Sequence, residues 1–228
     1  MNLFKRNLLI QALINRPNDQ IQRLIELENH ALTLTQKDDW LWHLLLSSMS
    51  TMGNSRGYAG LIENMDNYAL VSYNNLLPLD QATKLNNIQL GLSNANVRRY
   101  KLKTKWLLKN YEFIQDCGGV ETIQNFILQS VGRDCKIQLL KLFEGIGDKY
   151  ARNIFMDMCH EDFINSVAID ERLIDISDSL EIARNQISYL EHENLFIEIA
   201  NDAGLNPWQM DRLLYNYTQY YLNSMNQN

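Results

Sequence analysis

Proline is scarce in this chain. There are three in 228 residues, Pro17, Pro78 and Pro207. Each stands near an expected helix boundary, so nothing interrupts long helical stretches. No long alternating run of β-branched residues occurs, which removes the main signal for a sheet. Cysteine is scarcer in effect than in number: Cys117, Cys135 and Cys159 are widely spaced and form no CxxC pair. That spacing argues against a zinc site or a redox dithiol, and scattered unpaired thiols suit a reducing cytoplasm. No apolar run approaches the ~20 residues needed to cross a bilayer, so no membrane partner is expected. The opening MNLFKRNLLIQALINRP has a short apolar stretch but no small-residue cleavage site, and Gln11, Asn15 and Arg16 interrupt it. It is expected to form a first helix, not a signal peptide.

Hydrophobic residues make up 46% of the chain, enough for a substantial core. The length suits one large domain or two small ones that share a cleft. Net charge is 21 − 27 = −6, a mild argument against a nucleic-acid binder. The charge is unevenly spread, however. Between Gly91 and Asn110 stand Arg98, Arg99, Lys101, Lys103, Lys105 and Lys109 with no acid, whereas acid gathers from Glu161 onward. The basic run reads either as a solvated helix face or as a surface that follows phosphates, and the second would make affinity salt-dependent.

Apolar residues recur every three or four positions throughout. The pattern predicts helices over about 18–34, from Trp40 to Gly53-Asn54, and near 56–64, 68–76 and 80–92. Further helices are predicted over 96–115 (the basic one) and 120–129. Asp38 or Asp39 can cap the Trp40 helix. Gly204 reads as a helix stop, and Asn206-Pro207-Trp208-Gln209 as a cap, a first-turn proline and a reciprocal glutamine. The final helix carries Leu213, Leu214, Tyr217, Tyr220 and Tyr221 at helical spacing, which favours core packing over base stacking. His30 and His43 sit in apolar helices and read as structural, as do Cys135 and Cys159.

The stretch from Leu139 to Asp170, LLKLFEGIGDKYARNIFMDMCHEDFINSVAID, carries the chemistry. Two amphipathic segments flank Gly145-Ile146-Gly147. Glycines there permit a tight turn and close backbone approach, and the start of the second helix offers amide groups and a dipole that favour an anion. A DNA phosphate fits such a site without base reading. Lys149 follows in the first turn, where the dipole disfavours a cation; a neutral amine there can attack C1′ of a deoxyribose and form a Schiff base. Asp170 comes 170 − 149 = 21 residues later, after the apolar run Val167-Ala168-Ile169. It can cap the next helix, which would hold it rigid. On residues alone, an ordinary αα-turn, a solvated lysine and a simple capping aspartate remain open.

This order of parts resembles the helix-hairpin-helix DNA glycosylase superfamily, in the branch that also cleaves the backbone and lacks an iron–sulfur cluster, such as the 8-oxoguanine glycosylases. The chain matches its GxGxK pattern at Gly145, Gly147 and Lys149, its later aspartate at Asp170, and its buried early helix at Trp42-His43-Leu44-Leu45-Leu46-Ser47-Ser48. It departs at Glu144, where proline is common. It departs also at Met49, near which Gln or Asn often fills the gap left by a flipped base; Ser50, Thr51 and Asn54 follow. No cysteine lies beyond Cys159, so no cluster is implied.

The resemblance implies an all-α, two-lobed fold with a cleft between the lobes. One helical lobe would span 35–133. The other would combine 1–34 with 134–228, the hairpin motif lying at 134–158. It implies an enzyme that removes a damaged base, an oxidised purine, with Lys149 as nucleophile and Asp170 as carboxylate. Gly145, Ile146, Gly147, Arg98, Arg99 and Lys101 would contact DNA, and Asp211 could touch the pocket, although a surface acid is the simpler reading. No cofactor or metal is implied. The partner would be double-stranded DNA with a damaged base or abasic site, bound by a monomer. Two alternatives keep the same hairpin: a non-catalytic DNA-binding module, or a glycosylase without lyase activity.

Overall fold

The computed structural model describes residues 1–53 and 56–226. Asn54, one of the residues considered for gap filling, lies outside them. Among the described residues there are fifteen α-helices, two 3-10 turns and no strand. The helices are α1 (Leu3–Ile14), α2 (Asn18–Thr35), α3 (Trp40–Thr51), α4 (Arg56–Leu61), α5 (Met65–Val71), α6 (Tyr73–Leu76), α7 (Gln81–Asn94) and α8 (Tyr100–Asp116). They continue as α9 (Val120–Gln129), α10 (Arg133–Leu140), α11 (Asp148–Asp157), α12 (Glu171–Ser179), α13 (Tyr189–Asp202), α14 (Pro207–Asn216) and α15 (Thr218–Met225). None is long and apolar enough to cross a membrane.

The chain divides into two compact units, one of residues 1–34 with 155–228, the other of residues 35–154. The division expected from sequence puts 134–154 with the first of these instead. In the 35–154 unit, α3 is buried nearly all round, because its apolar residues occupy every face: Leu41, Trp42, Leu45, Leu46 and Met49 have no solvent exposure. The Trp42 indole donates to the Val71 carbonyl at 2.8 Å, and its ring meets Tyr111 edge-on at 5.8 Å. His43 is buried and hydrogen-bonds the Tyr68 hydroxyl at 2.9 Å, a structural role. His30 is exposed on α2. Asp39 takes the cap position of α3 without a side-chain cap bond, and burial raises its carboxyl pKa.

In the 1–34 with 155–228 unit, the core gathers Leu9, Leu13, Phe163, Ile176, Phe196, Ile199 and Tyr221. The expected cap and stop are both formed. Asn206 and Gln209 make a reciprocal capping box with Pro207 at the start of α14. Gly204 takes a left-handed φ of 68° after α13, and Leu205 N bonds back to the Ala200 carbonyl at 3.0 Å. The final helix, expected to be continuous, breaks at Tyr217 (φ −126°, ψ 32°) into α14 and α15. Tyr221 is fully buried and its hydroxyl meets the Gln20 side chain, so this tyrosine packs as expected, whereas Tyr220 is exposed.

Candidate functional site

The hairpin between α10 and α11 is built on α8. Gly145 has φ 82°, and a Cβ there would lie 2.7 Å from Trp106 Cε3 and 2.9 Å from Met49 Cε. Only glycine meets both demands, a left-handed backbone and ring-to-backbone contact. Ile146 is buried and its N–H closes the turn on the Phe143 carbonyl at 3.1 Å. Asn110 clamps the backbone of Glu144 from both sides: its Oδ1 accepts from Glu144 N at 2.7 Å and its Nδ2 donates to Glu144 O at 3.1 Å. The Glu144 carboxylate, awkward beside a phosphate site, pairs with Lys109 at 3.1 Å on the surface. Gly147 faces open space, with nothing within 4 Å of a Cβ added there. The first bond of α11 runs from Ala151 N to Gly147 O at 2.9 Å. The amides of Gly147 and Asp148 precede it and meet no acceptor among the described residues, as the first turn of a helix leaves them.

These two glycines therefore carry different expectations. Gly145→Ala combines left-handed strain with overlap on Trp106 and is expected to lower stability by about 2–4 kcal/mol. Gly147→Ala is expected to stay within about 0.5 kcal/mol of the wild type. Thermal or urea denaturation of the two variants distinguishes them; equal losses would mean the turn is held otherwise.

Lys149 lies half-buried in the first turn of α11, with Nζ 4.6 Å from the centre of the Tyr150 ring. Asp148 beside it pairs with Lys141 at 3.0 Å and Arg152 at 3.7 Å. The Asp148 carboxylate thus lies between two cations, Lys141 and Arg152, one residue before Lys149.

The basic run contributes less surface charge than its sequence suggests. Asn96 and Arg99 adopt left-handed φ values of 53° and 57°, so α8 begins at Tyr100 instead of near 96. Lys103 is buried, and its Nζ donates to the carbonyls of Met49 and Met52 at 2.8 Å each, closing the end of α3. Burial, with help from Arg98 and Arg99, pushes its pKa down to about 8. It belongs to the frame and not to a phosphate-facing surface. Lys109 is committed to Glu144. Arg98, Arg99, Lys101 and Lys105 remain exposed, Arg98 also reaching the Gly53 carbonyl at 3.4 Å. Met49, considered as a gap-filling position, is fully buried beneath Gly145. Cys135, expected in the core, is exposed; all three cysteines are free thiols.

Asp170 belongs to the other unit. It is the N-cap of α12, and its Oδ1 accepts from the amides of Arg172 at 3.0 Å and Leu173 at 3.1 Å. It is 8% exposed. The strap that delivers it is pinned amide by amide. Val167 N donates to Glu193 Oε1 at 3.1 Å, Ala168 N to Asp211 Oδ1 at 2.8 Å, and Ile169 N to the Tyr189 hydroxyl at 2.9 Å. Extended backbone that pairs with no sheet must find other acceptors when buried, and three side chains supply them. Asp211 is thus not a surface acid: it is 2% exposed, and its pKa is pushed up to about 6 by burial, against the opposing pull of Arg212.

Sequence reasoning missed Asn110, Trp106, Glu193, Tyr189 and the anchoring role of Asp211. A signal existed for the polar ones. Asn110 shares the buried stripe of α8 with Leu107 and Ile114, and Glu193 shares that of α13 with Phe196 and Ala200. A polar residue on an apolar stripe needs a buried partner.

The arrangement of helices among the described residues is the all-helical glycosylase fold, as two solved structures show. The chain is similar to the crystal structure of Methanocaldococcus jannaschii 8-oxoguanine DNA glycosylase (MjOgg), with TM-score 0.66 and 18% identity over 94% of this chain and 93% of that one. It is also similar to the structure of the M. jannaschii 8-oxoguanine glycosylase/lyase in complex with 15mer DNA containing 8-oxoguanine, with TM-score 0.67 and 18% identity over 96% and 98% of the two chains. No family model and no curated protein matches the sequence.

Proposed function

We propose that this protein is a DNA N-glycosylase with AP-lyase activity that removes an oxidised purine from duplex DNA. The observation that carries the reading is the hairpin itself. It presents open amides at Gly147 and Asp148, it is followed at once by Lys149, and it occurs in the fold of a glycosylase/lyase crystallised on DNA containing 8-oxoguanine.

In this reading, Gly145, Ile146 and Gly147 hold a phosphate near the lesion through backbone amides and the α11 dipole. Arg98, Arg99 and Lys101 add charge along the strand. The damaged nucleotide leaves the stack. The Lys149 amine attacks C1′; the glycosidic bond breaks, and the base departs with the bonding electrons and takes up a proton. Asp170 stabilises the positive charge that develops on the sugar, which requires both groups to act on one deoxyribose. The nitrogen on C1′ then loses a proton as the C1′–O4′ bond opens and O4′ takes one up; the imine so formed acidifies the C2′ proton, whose removal expels the 3′ phosphate and cuts the strand. These steps call for no metal and no redox cofactor. The protein acts as a cytoplasmic monomer with no membrane partner.

A duplex with one 8-oxoguanine tests the reading. Wild-type protein is expected to release the free base and nick that strand, leaving an undamaged duplex intact. Binding should weaken steeply between 50 and 200 mM salt, by about 40- to 150-fold if three or four phosphates are neutralised. Binding without base release from any damaged duplex would favour a non-catalytic hairpin module. Base release without nicking would make it a monofunctional glycosylase. A flat salt dependence would remove Arg98, Arg99 and Lys101 from the interface.

A further inference from the structure

We infer that Asp211 is a positioning residue for the reaction, setting the catalytic carboxylate of Asp170 through the backbone of the strap between them. The inference rests on the glycosylase reading above. Its basis is geometric. The Ala168 amide, two residues before Asp170, donates to Asp211 Oδ1 at 2.8 Å. The neighbouring amides are held by Glu193 and Tyr189 of α13, so Asp211 is the only one of the three anchors that comes from α14. At the far end, Asp170 is fixed by the first amides of α12. A short segment tied at both ends transmits a change at one end to the other, and catalytic groups displaced by about 1 Å can lose about 10²-fold in rate.

The surroundings make this anchor responsive to pH. Asp211 is buried beside Arg212 of its own helix, whose Nε lies 3.8 Å from Asp211 Oδ2. Arg212 in turn meets Asp157 of α11 at 3.3 Å. The negative charges of Asp170, at the α12 cap, and of Asp157 both oppose ionisation of Asp211, and Glu193 of α13 holds the adjacent amide. Burial is the largest influence and raises the carboxyl from its ordinary 3.8 to about 6. An ionised carboxylate accepts from an amide more strongly than a neutral acid does, so the strap is held most firmly above about pH 6. Stability runs the other way. A folded-state pKa above the unfolded one means that this group's stabilising contribution is complete below about pH 4 and is lost as pH rises through about 6. The carboxyl is thus held in the form that costs stability at neutral pH, where the reaction needs its grip.

The test compares wild type with Asp211→Asn, which keeps the shape and an acceptor but cannot ionise, and with Asp211→Ala. Two readouts are followed from pH 5 to 8: the Ala168 amide resonance by NMR, and single-turnover base release from 8-oxoguanine duplex. In the wild type, the Ala168 resonance and the release rate should change with one shared midpoint near 6. In Asp211→Asn the resonance should not titrate, and the rate should lose that limb and fall about tenfold at pH 7.5, with duplex affinity unchanged; Asp211→Ala should fall about 10²-fold. Adduct formation on a preformed abasic site should persist in both variants. An Asp211→Asn rate and pH profile that superimpose on the wild type would overturn the inference. So would an Ala168 amide that does not titrate in the wild type, a measurement that stands even if a variant fails to fold. No base release by wild-type protein whose Ala168 amide does titrate would instead overturn the glycosylase reading, and the positioning role with it, while leaving the Asp211 contact in place.

Discussion

Lys149→Gln is expected to abolish the covalent adduct that borohydride traps between the wild-type protein and abasic-site DNA. Glutamine preserves length and hydrogen-bonding capacity, but an amide nitrogen cannot form an imine. Strand nicking should disappear with the adduct, and base release should fall by about 10³-fold or more, as is usual when a nucleophile is removed. Folding gives no competing explanation. Lys149 is half-buried in the first turn of α11, where a cation is disfavoured by the helix dipole, so its replacement should change stability by less than about 1 kcal/mol. Denaturation of the variant beside the trapping assay checks this. An adduct of undiminished yield in Lys149→Gln would mean that another amine is the nucleophile.

The second large effect is expected from Asp170→Asn. Asparagine caps helices as well as aspartate does, so the bonds from the Arg172 and Leu173 amides can survive and α12 should remain in place. What is lost is the negative charge that the proposed mechanism assigns to stabilising the sugar. Base release should slow by about 10²–10³-fold, the range seen when a single electrostatic stabiliser is removed. Adduct formation on a preformed abasic site should suffer less, because no glycosidic bond remains to be broken. Asp170→Ala should combine the same loss with about 1 kcal/mol of lost capping. Wild-type release by Asp170→Asn would assign the charge to another carboxylate.

Much of the fold was readable because local rules and tertiary packing agree. Asn206, Pro207 and Gln209 signalled the start of α14, Gly204 the end of α13, and Gly145 a turn that other residues cannot enter. The α14–α15 break was hidden, since Tyr217 is neither glycine nor proline and the apolar spacing continues across it. The basic run misled for a related reason. Counting its charges could not show that Arg99 delays the helix, that Lys103 turns inward to the end of α3, or that Lys109 is occupied by Glu144. Yet Lys103, Leu107, Asn110 and Ile114 share one buried stripe of α8, a spacing that hinted at inward roles. The Gly-Ile-Gly motif and Lys149 stood out locally. The strap holding Asp170 did not, because its anchors come from α13 and α14, 20 to 43 residues away along the chain. Contacts of that range depend on how helices pack, which periodicity within each helix does not encode.

Peptide mapping of the trapped complex identifies the amine that attacks the sugar. Wild-type protein is reduced with borohydride on abasic DNA, digested, and the modified residue located by mass spectrometry. The deoxyribose remnant is expected on Lys149, within the peptide that follows Gly147. Lys103, whose pKa lies near 8, is the obvious rival amine, but it is buried and bonded to two carbonyls. Label on Lys103, on any other lysine or on the N-terminus, with Lys149 unmodified, would mean that Lys149 is not the nucleophile.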